Sequence, residues 1–243
     1  MEKGTRTDTE KDMFTSEPVK GKEKKPKQQV IHAVAFDMDG LLLNTEDLYE
    51  EVTKELLLRR GRTFKEDVRR KMIGLPAPKA YQVLIESERL EETWQELHED
   101  TERIFEAILE TRLQTLQGVE ETLLAVQNKG LPKCVATSST RAFALRALEI
   151  VGVLDKLDFV VTAEEVPRGK PYPDIYLEAA KRMGVETQKM LVLEDSENGT
   201  KAGVSAGAYV ISVPNRHTQE GEFQGAQWIA KSLKDEVIQS LLR

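Results

Sequence analysis

Apolar residues are arranged along this chain in two rhythms. Five runs are continuous rather than alternating: "VIHAVAF" (30–36), "PKCVATS" (132–138), "DFVVTA" (158–163), "KMLVLED" (189–195) and "AYVISVP" (208–214). Unbroken runs of this length suit strands buried on both faces of a parallel sheet. Between the later runs the apolar positions recur every three to four residues, which predicts helices over 140–152, 173–184 and 197–207. Gly152, Gly184 and Gly207 close these segments where a helix commonly ends in a left-handed residue. Strand and helix in alternation predict an α/β fold, an open doubly wound parallel sheet with right-handed crossovers.

One connection is out of scale. Nearly a hundred residues separate the first run from the second, and within them 45–61, 77–90 and 91–116 carry helical spacing. Leu48, Val52, Leu56 and Leu57, for example, form one stripe. An all-helical insertion at this point is expected to lie as a cap over the carboxyl end of the first strand. The expected organisation is a tail over 1–29, a Rossmann-like core from 30–44 and 117–243, and a helical cap over 45–116. The tail has almost no aliphatic side chains and cannot bury enough surface to offset its ordering entropy, so it is expected to be disordered. Its basic cluster, Lys22 to Lys27, reads as solvated charge rather than a nuclear-import signal.

Composition narrows the function classes. The chain has 243 residues, room for one sizeable core with an insertion. A net charge of −7 provides no basic face for nucleic acid, and no apolar stretch reaches membrane-spanning length. The single cysteine, Cys134, lies inside an apolar run, which predicts a buried structural thiol and a reducing, cytoplasmic setting. His32, His98 and His217 show no metal-ligand spacing, which argues against a zinc site or a serine–histidine hydrolase.

The chemistry is expected at the strand ends, because ligands of open α/β sheets sit beyond the carboxyl ends of strands. Asp37 and Asp39 follow the first run, Thr137 and Ser138 end the second, and Glu194 and Asp195 end the fourth. Lys170 stands in "RGKPYPD" after the third. Carboxylates this close repel each other unless a cation or a shared proton holds them. Carboxylate oxygens suit a hard divalent cation, Mg²⁺ before others. Hydroxyls, backbone amides and a lysine suit a phosphoryl group, and the whole set suits phosphoryl transfer.

Four short patterns occur in order, each after an expected strand: D-x-D-G at 37–40, T-S-S at 137–139, K-P at 170–171 and E-D-S-x-x-G at 194–199. Each alone recurs by chance; together they carry a resemblance covering essentially everything from Val30 onward. The chain resembles the haloacid dehalogenase-like superfamily of phosphohydrolases, in the branch with a helical cap after the first strand. The resemblance implies that Asp37 is the nucleophile forming an aspartyl-phosphate, and that Asp39 is the general acid and then the base. It implies a phosphate cradle of Thr137 and Ser138, and a Lys170 that neutralises phosphoryl oxygens and keeps Asp37 ionised. It also implies Mg²⁺ held by Asp37, the backbone carbonyl of Asp39 and Asp195, with Glu194 either a further ligand or an orienting neighbour. Gly40 would let the backbone turn sharply beside the metal.

The expected activity is therefore Mg²⁺-dependent hydrolysis of a small phosphate monoester, a sugar or polyol phosphate. A β-phosphoglucomutase-like isomerase and a catalytically silent binding protein are the alternatives. Asn44 replaces the family's usual aspartate and is expected to cap the first cap helix. Tyr49 stands where β-phosphoglucomutase-like proteins carry a histidine, and Ala77 where they carry an arginine, with Lys79 two residues on. Tyrosine does not relay a proton at neutral pH and alanine cannot hold a second phosphate, so the phosphatase is favoured. The turn "MIGLPAPK" (Met72 to Lys79) is either a specificity loop or an ordinary Gly/Pro connection. Pro171 and Pro173 are expected to fix the lysine loop, and Trp94 and Trp228 to serve packing.

Overall fold

The continuous apolar runs become the centre of one parallel sheet in the computed structural model, which describes residues 29–243 apart from 73, 74 and 76. The strands are β1 (Ala33–Phe36), β2 (Lys133–Thr137), β3 (Phe159–Thr162), β4 (Met190–Glu194), β5 (Tyr209–Ser212) and β6 (Trp228–Ile229). The helices are α1 (Thr45–Leu58), α2 (Glu66–Met72), α3 (Ala77–Glu88), α4 (Trp94–Arg112), α5 (Val119–Asn128), α6 (Arg141–Ile150), α7 (Asp174–Met183), α8 (Glu197–Ser205) and α9 (Glu236–Leu241). The sheet order is β3-β2-β1-β4-β5-β6. Every neighbouring pair is parallel. The readings on the tail, on Lys22 to Lys27 and on part of the turn 72–79 lie outside the described residues.

Side-chain alternation divides the core into two layers. Ala33, Ala35, Cys134, Ala136, Val192 and Val210 cluster with residues of α7 and α8. These strand residues are mostly small, and the helices come close: a Cβ on Gly203 of α8 would lie 2.8 Å from Val210 Cγ2. Val34, Phe36, Val135, Leu191, Leu193 and Ile211 pack on the other side with α5, α6 and α9. Cys134 is free and buried in β2, and burial pushes its thiol pKa up, so it offers no nucleophile. Gly152, Gly184 and Gly207 take φ values of 64°, 67° and 77°, the left-handed geometry expected after α6, α7 and α8.

The four helices between β1 and α5 form the insertion. The stripe Leu48, Val52, Leu56 and Leu57 is buried along α1, and the Tyr49 ring stacks on Phe105 of α4 with centroids 4.7 Å apart. The helix expected from residue 91 begins instead at Trp94, because Thr93 and Glu96 close a capping box. The elements expected from the sequence do not include α2, α5, α9 or β6. α2 buries only Val68 and β6 has two residues, too little to carry a period. Pro173 takes the N-cap position of α7, while Trp94 is half-buried at the start of α4 and Trp228 packs against the main core.

Asn44 behaves differently from expectation. It occupies the N-cap position of α1 with ψ at 30°, not the extended conformation from which a side chain reaches back to the first turn, and it makes no capping bond. Its amide instead joins the two linkers of the insertion. Nδ2 donates to the Arg112 carbonyl at 3.2 Å, and Oδ1 accepts from the Gln114 backbone N–H at 2.9 Å. Backbone bonds run alongside, from Asn44 N to Gln114 O at 3.2 Å and from Leu116 N to Leu42 O at 2.8 Å. Asn44→Ala removes two part-buried hydrogen bonds and is expected to lower stability by about 1–3 kcal/mol in urea unfolding. A loss below about 0.5 kcal/mol would mean that the backbone bonds alone hold the linkers.

Candidate functional site

The sheet order reverses between β1 and β4: the chain steps from β1 outward to β2 and β3, then returns to β4 and continues to β5. A crevice opens at such a switch point beyond the carboxyl ends of the strands. Asp37 is the first residue past β1, with its N–H donating to Leu193 O at 3.0 Å. Glu194 ends β4, Asp195 follows it, and Thr137 ends β2. The loop after β3 delivers Lys170 to the same place.

Lys170 is the hub. Its Nζ donates to Asp37 Oδ1, to Glu194 Oε1 at 2.6 Å and to Ala136 O at 2.9 Å, using all three of its protons. Its side chain is 5% exposed and that of Glu194 is 0% exposed. Tyr176 of α7 donates its hydroxyl to the same Glu194 Oε1, with its ring centroid 5.3 Å from Nζ. Ser196 Oγ donates to Glu194 Oε2 at 3.1 Å. Asp37, Glu194 and Asp195 each present a carboxylate oxygen, all within 4.8 Å of one another.

Asp39 sits beside this cluster in a different setting. Its Oδ2 accepts from Thr137 Oγ1 at 3.1 Å and from Ser139 Oγ at 2.7 Å. Its buried Oδ1 has no hydrogen-bond partner. Ser138 is exposed and lines a cleft of about 1000 Å³ that also takes in Asp37, Asp39, Lys170 and Asp195. Glu46 and Tyr49 of α1 close the cleft from the opposite side. All the residues expected at the site therefore come together at one rim.

Charge in this site does not balance. Burial pushes the Asp37 carboxyl well above the carboxylate range; Lys170 pulls it back, and Glu194 and Asp39 push it further up. Burial, followed by the charges of Asp37 and Glu194, pushes Asp195 up to about 9. Burial works against the Lys170 ammonium too, but Asp37 and Glu194 more than offset it and hold its pKa above the ordinary lysine value. Three buried carboxylates against one ammonium leave two negative charges in excess when all are ionised. An all-oxygen donor set with that excess fits a hard divalent cation.

The family model described as "Haloacid dehalogenase-like hydrolase" matches residues 34–213. The chain belongs to this family. The hydrolase is 34% identical to the phosphorylated carbohydrates phosphatase of Thermotoga maritima over 73% of its own length and 82% of the relative's. It is 33% identical to the mitochondrial (DL)-glycerol-3-phosphatase 1 of Arabidopsis thaliana, covering 83% of this chain and 70% of that one. A crystal structure of a candidate beta-phosphoglucomutase from Thermotoga maritima superposes with a TM-score of 0.75 at 29% identity, covering 87% of the hydrolase and 98% of that chain.

Four groups in the hydrolase escaped the sequence reading. Ser139 belongs to T-S-S, yet its hydroxyl, not that of Ser138, reaches Asp39. Tyr176 lies in the first turn of α7, where an aromatic reads as core. Glu46 reads as one more acid on a charged helix. Asn215 had a usable signal: it is the first polar residue past the fifth apolar run, the same placement as Asp37 after the first. Two motif glycines also gain a reason. A Cβ on Gly199 would fall 1.9 Å from Glu194 Cδ, and one on Gly40, at φ 78°, would fall 2.6 Å from Asp195 Oδ2.

The raised carboxyl pKa values set a pH dependence. A carboxyl raised on folding binds more protons folded than unfolded, so its contribution to stability falls as pH rises between its ordinary 3.8 and, for Asp195, about 9. A divalent cation must displace those protons. In the hydrolase, Mg²⁺ or Mn²⁺ affinity is expected to rise between pH 6 and pH 9, by at most about tenfold per pH unit for each proton displaced. Calorimetry in buffers of different ionisation enthalpy measures the protons released. A pH-independent affinity with no proton release would mean that Asp37 and Asp195 are already ionised before the cation binds.

Proposed function

We propose that this hydrolase is a Mg²⁺-dependent phosphatase of sugar or polyol monophosphates that works through an aspartyl-phosphate on Asp37. At the coarser level it is a phosphoric monoester hydrolase of the haloacid dehalogenase-like family, and its relatives are named phosphatases of small phosphorylated compounds. The observation that carries the finer reading is the pairing of two carboxylates in unlike settings. Asp37 is held by Lys170, whereas Asp39 is held through one oxygen by two hydroxyls, with its other oxygen unpartnered.

In this reading a carboxylate oxygen of Asp37 attacks phosphorus, the bond from phosphorus to the ester oxygen breaks, and the leaving alkoxide takes a proton from Asp39. Water then attacks the aspartyl-phosphate, Asp39 takes its proton, and inorganic phosphate leaves with Asp37 restored. Lys170 neutralises phosphoryl oxygens throughout. Mg²⁺, held by Asp37, Asp195 and the Asp39 carbonyl, would supply the charge that keeps Asp37 ionised and offsets the phosphoryl charge. Thr137 and Ser138 stand beside the position the phosphoryl group would take. Both oxygens of Glu194 are already engaged by Lys170, Tyr176 and Ser196, which favours an orienting role over direct ligation.

The leaving group is read from the α1 side of the cleft. Glu46 lines it with no hydrogen-bond partner among the described residues; burial first and the Asp39 charge second raise its pKa. An unpartnered carboxyl there suits a substrate hydroxyl. Tyr49 has a phenol that burial and then Asp39 push above its ordinary value, so it stays protonated at neutral pH and does not serve as a base. This supports hydrolysis over isomerisation.

³¹P NMR with Mg²⁺ and a panel including glycerol phosphate, hexose 6-phosphates and β-glucose 1-phosphate is expected to give inorganic phosphate without a bisphosphate activator. Glucose 6-phosphate appearing from β-glucose 1-phosphate faster than inorganic phosphate would move the assignment to the mutase. Asp37→Asn is expected to abolish turnover while leaving the circular dichroism spectrum unchanged. Activity within about tenfold of wild type, under about 1.4 kcal/mol of barrier, would remove Asp37 as nucleophile.

A further inference from the structure

Asn215 opens the turn after β5, and its amide orientation is fixed by its neighbours. Oδ1 accepts from the backbone N–H groups of His217 at 2.7 Å and Thr218 at 3.2 Å. Nδ2 must then face acceptors, and it donates to the Gly40 carbonyl at 2.9 Å and to Asp195 Oδ2 at 2.8 Å. One side chain thus holds both the D-x-D-G turn and an acid of the carboxylate cluster. The turn itself is closed by Asn215 N donating to Thr218 Oγ1 at 3.0 Å.

The next two residues reach the other way, into the insertion. Arg216 donates through Nε to Asp47 Oδ1 at 2.9 Å, and its Nη2 lies 2.8 Å from the same oxygen and 3.0 Å from Glu50 Oε2. His217 Nε2 lies 2.8 Å from Asp47 Oδ1, and Arg69 Nη1 of α2 lies 3.3 Å from its Nδ1. A guanidinium can only donate, so Nδ1 accepts, and Nε2 carries the hydrogen given to Asp47. Burial opposes it, but the bonds from His217 and Arg216 hold the Asp47 carboxyl below its usual range. The turn 215–218 is therefore one hydrogen-bonded unit with one end on α1 and the other on Asp195.

We propose that Asn215 is a positioning residue for Asp195, and that Arg216 and His217 make its grip depend on α1 being seated over the cleft. Moving α1 away strips Arg216 and His217 of Asp47, frees the turn and loosens Nδ2 from Asp195. Cation affinity and seating of the insertion are then coupled, each strengthening the other. This goes beyond the proposed hydrolysis, and it rests on the reading that Asp195 helps to hold a divalent cation.

Calorimetric titration of Mg²⁺ into wild type, Asn215→Ala, Asp47→Ala and the double variant tests it. Asn215→Ala is expected to weaken Mg²⁺ binding at least about tenfold, the size usual for a residue that orients a metal ligand. Asp47→Ala touches no residue of the carboxylate cluster and is expected to weaken it about fivefold or more. The double variant should bind within about twofold of Asn215→Ala, because Asp47 acts only through that residue. Unchanged affinity in either single variant, or a double variant that loses the product of the two factors, overturns the inference. Melting in EDTA checks that each variant folds; if Asn215→Ala does not, the Asp47→Ala titration decides alone. Wild type giving no Mg²⁺ heat overturns the cation reading of Asp195 and this inference with it.

Discussion

The carboxyl edge of the sheet is organised around a single buried ammonium. Without Lys170, the carboxylates of Asp37, Glu194 and Asp195 would face one another inside a low-polarity rim, where two unit charges 4 Å apart repel by about 4 kcal/mol at an effective dielectric of 20. Lys170 bridges Asp37 and Glu194 and donates its third bond to the Ala136 carbonyl, so its position is over-determined by β1, β2 and β4 at once. Yet one cation is not enough. Burial still wins at Asp37 and Asp195, whose carboxyls remain raised despite the lysine. The rest of the site supports that imbalance. Tyr176 and Ser196 occupy Glu194, Gly199 gives its carboxylate room, and Asn215 occupies Asp195.

Much of this was legible because it followed from rules about strand ends. Five of the six strands are continuous apolar runs, and a residue just past such a run must emerge at the carboxyl edge. Asp37, Thr137, Glu194 and Asp195 could be placed by that reasoning alone, and Lys170 by the Pro-rich loop after the third run. What stayed hidden has no local signature. Tyr176 is an aromatic on the buried stripe of α7, and only its distance to Glu194 separates it from a core tyrosine. Ser138 and Ser139 are identical in sequence terms, and the backbone after β2 decides which one bonds Asp39. The short α2 and the two-residue β6 follow from tertiary contacts rather than from pattern.

Asn44 shows how a residue type can be read correctly as structural and still be assigned the wrong bond. Asparagine before a helix predicts a cap because its side chain competes well for the first free N–H groups. Here the chain has to leave the core, build four helices and return beside its own point of departure. The two linkers meet as a short antiparallel contact between Leu43 and Thr115. A side chain carrying both a donor and an acceptor can join such a pair from one side, as Asn44 does to Arg112 and Gln114. An aspartate at this position would offer only acceptors to a partner that is itself a carbonyl.

The insertion's charges bear on which leaving groups the cleft admits. The cleft wall carries arginines, which would suit a second phosphate if they were free. Two of them are held: Arg69 is paired with Glu66 through two bonds, and Arg216 is shared between Asp47 and Glu50. Arg70 makes only exposed ion pairs, at 3.4 Å to Glu66 and 3.8 Å to Glu220, which hold it weakly. A second phosphate would have to take a guanidinium from its carboxylate and leave that carboxylate uncompensated beside the incoming charge. The penalty grows toward the buried end of the cleft, where Glu46 already feels the charge of Asp39. A polyol makes no such demand: its hydroxyls can donate to Glu46 and leave every ion pair intact. On the proposed mechanism, these electrostatics favour a substrate whose only phosphate is the one presented to Asp37.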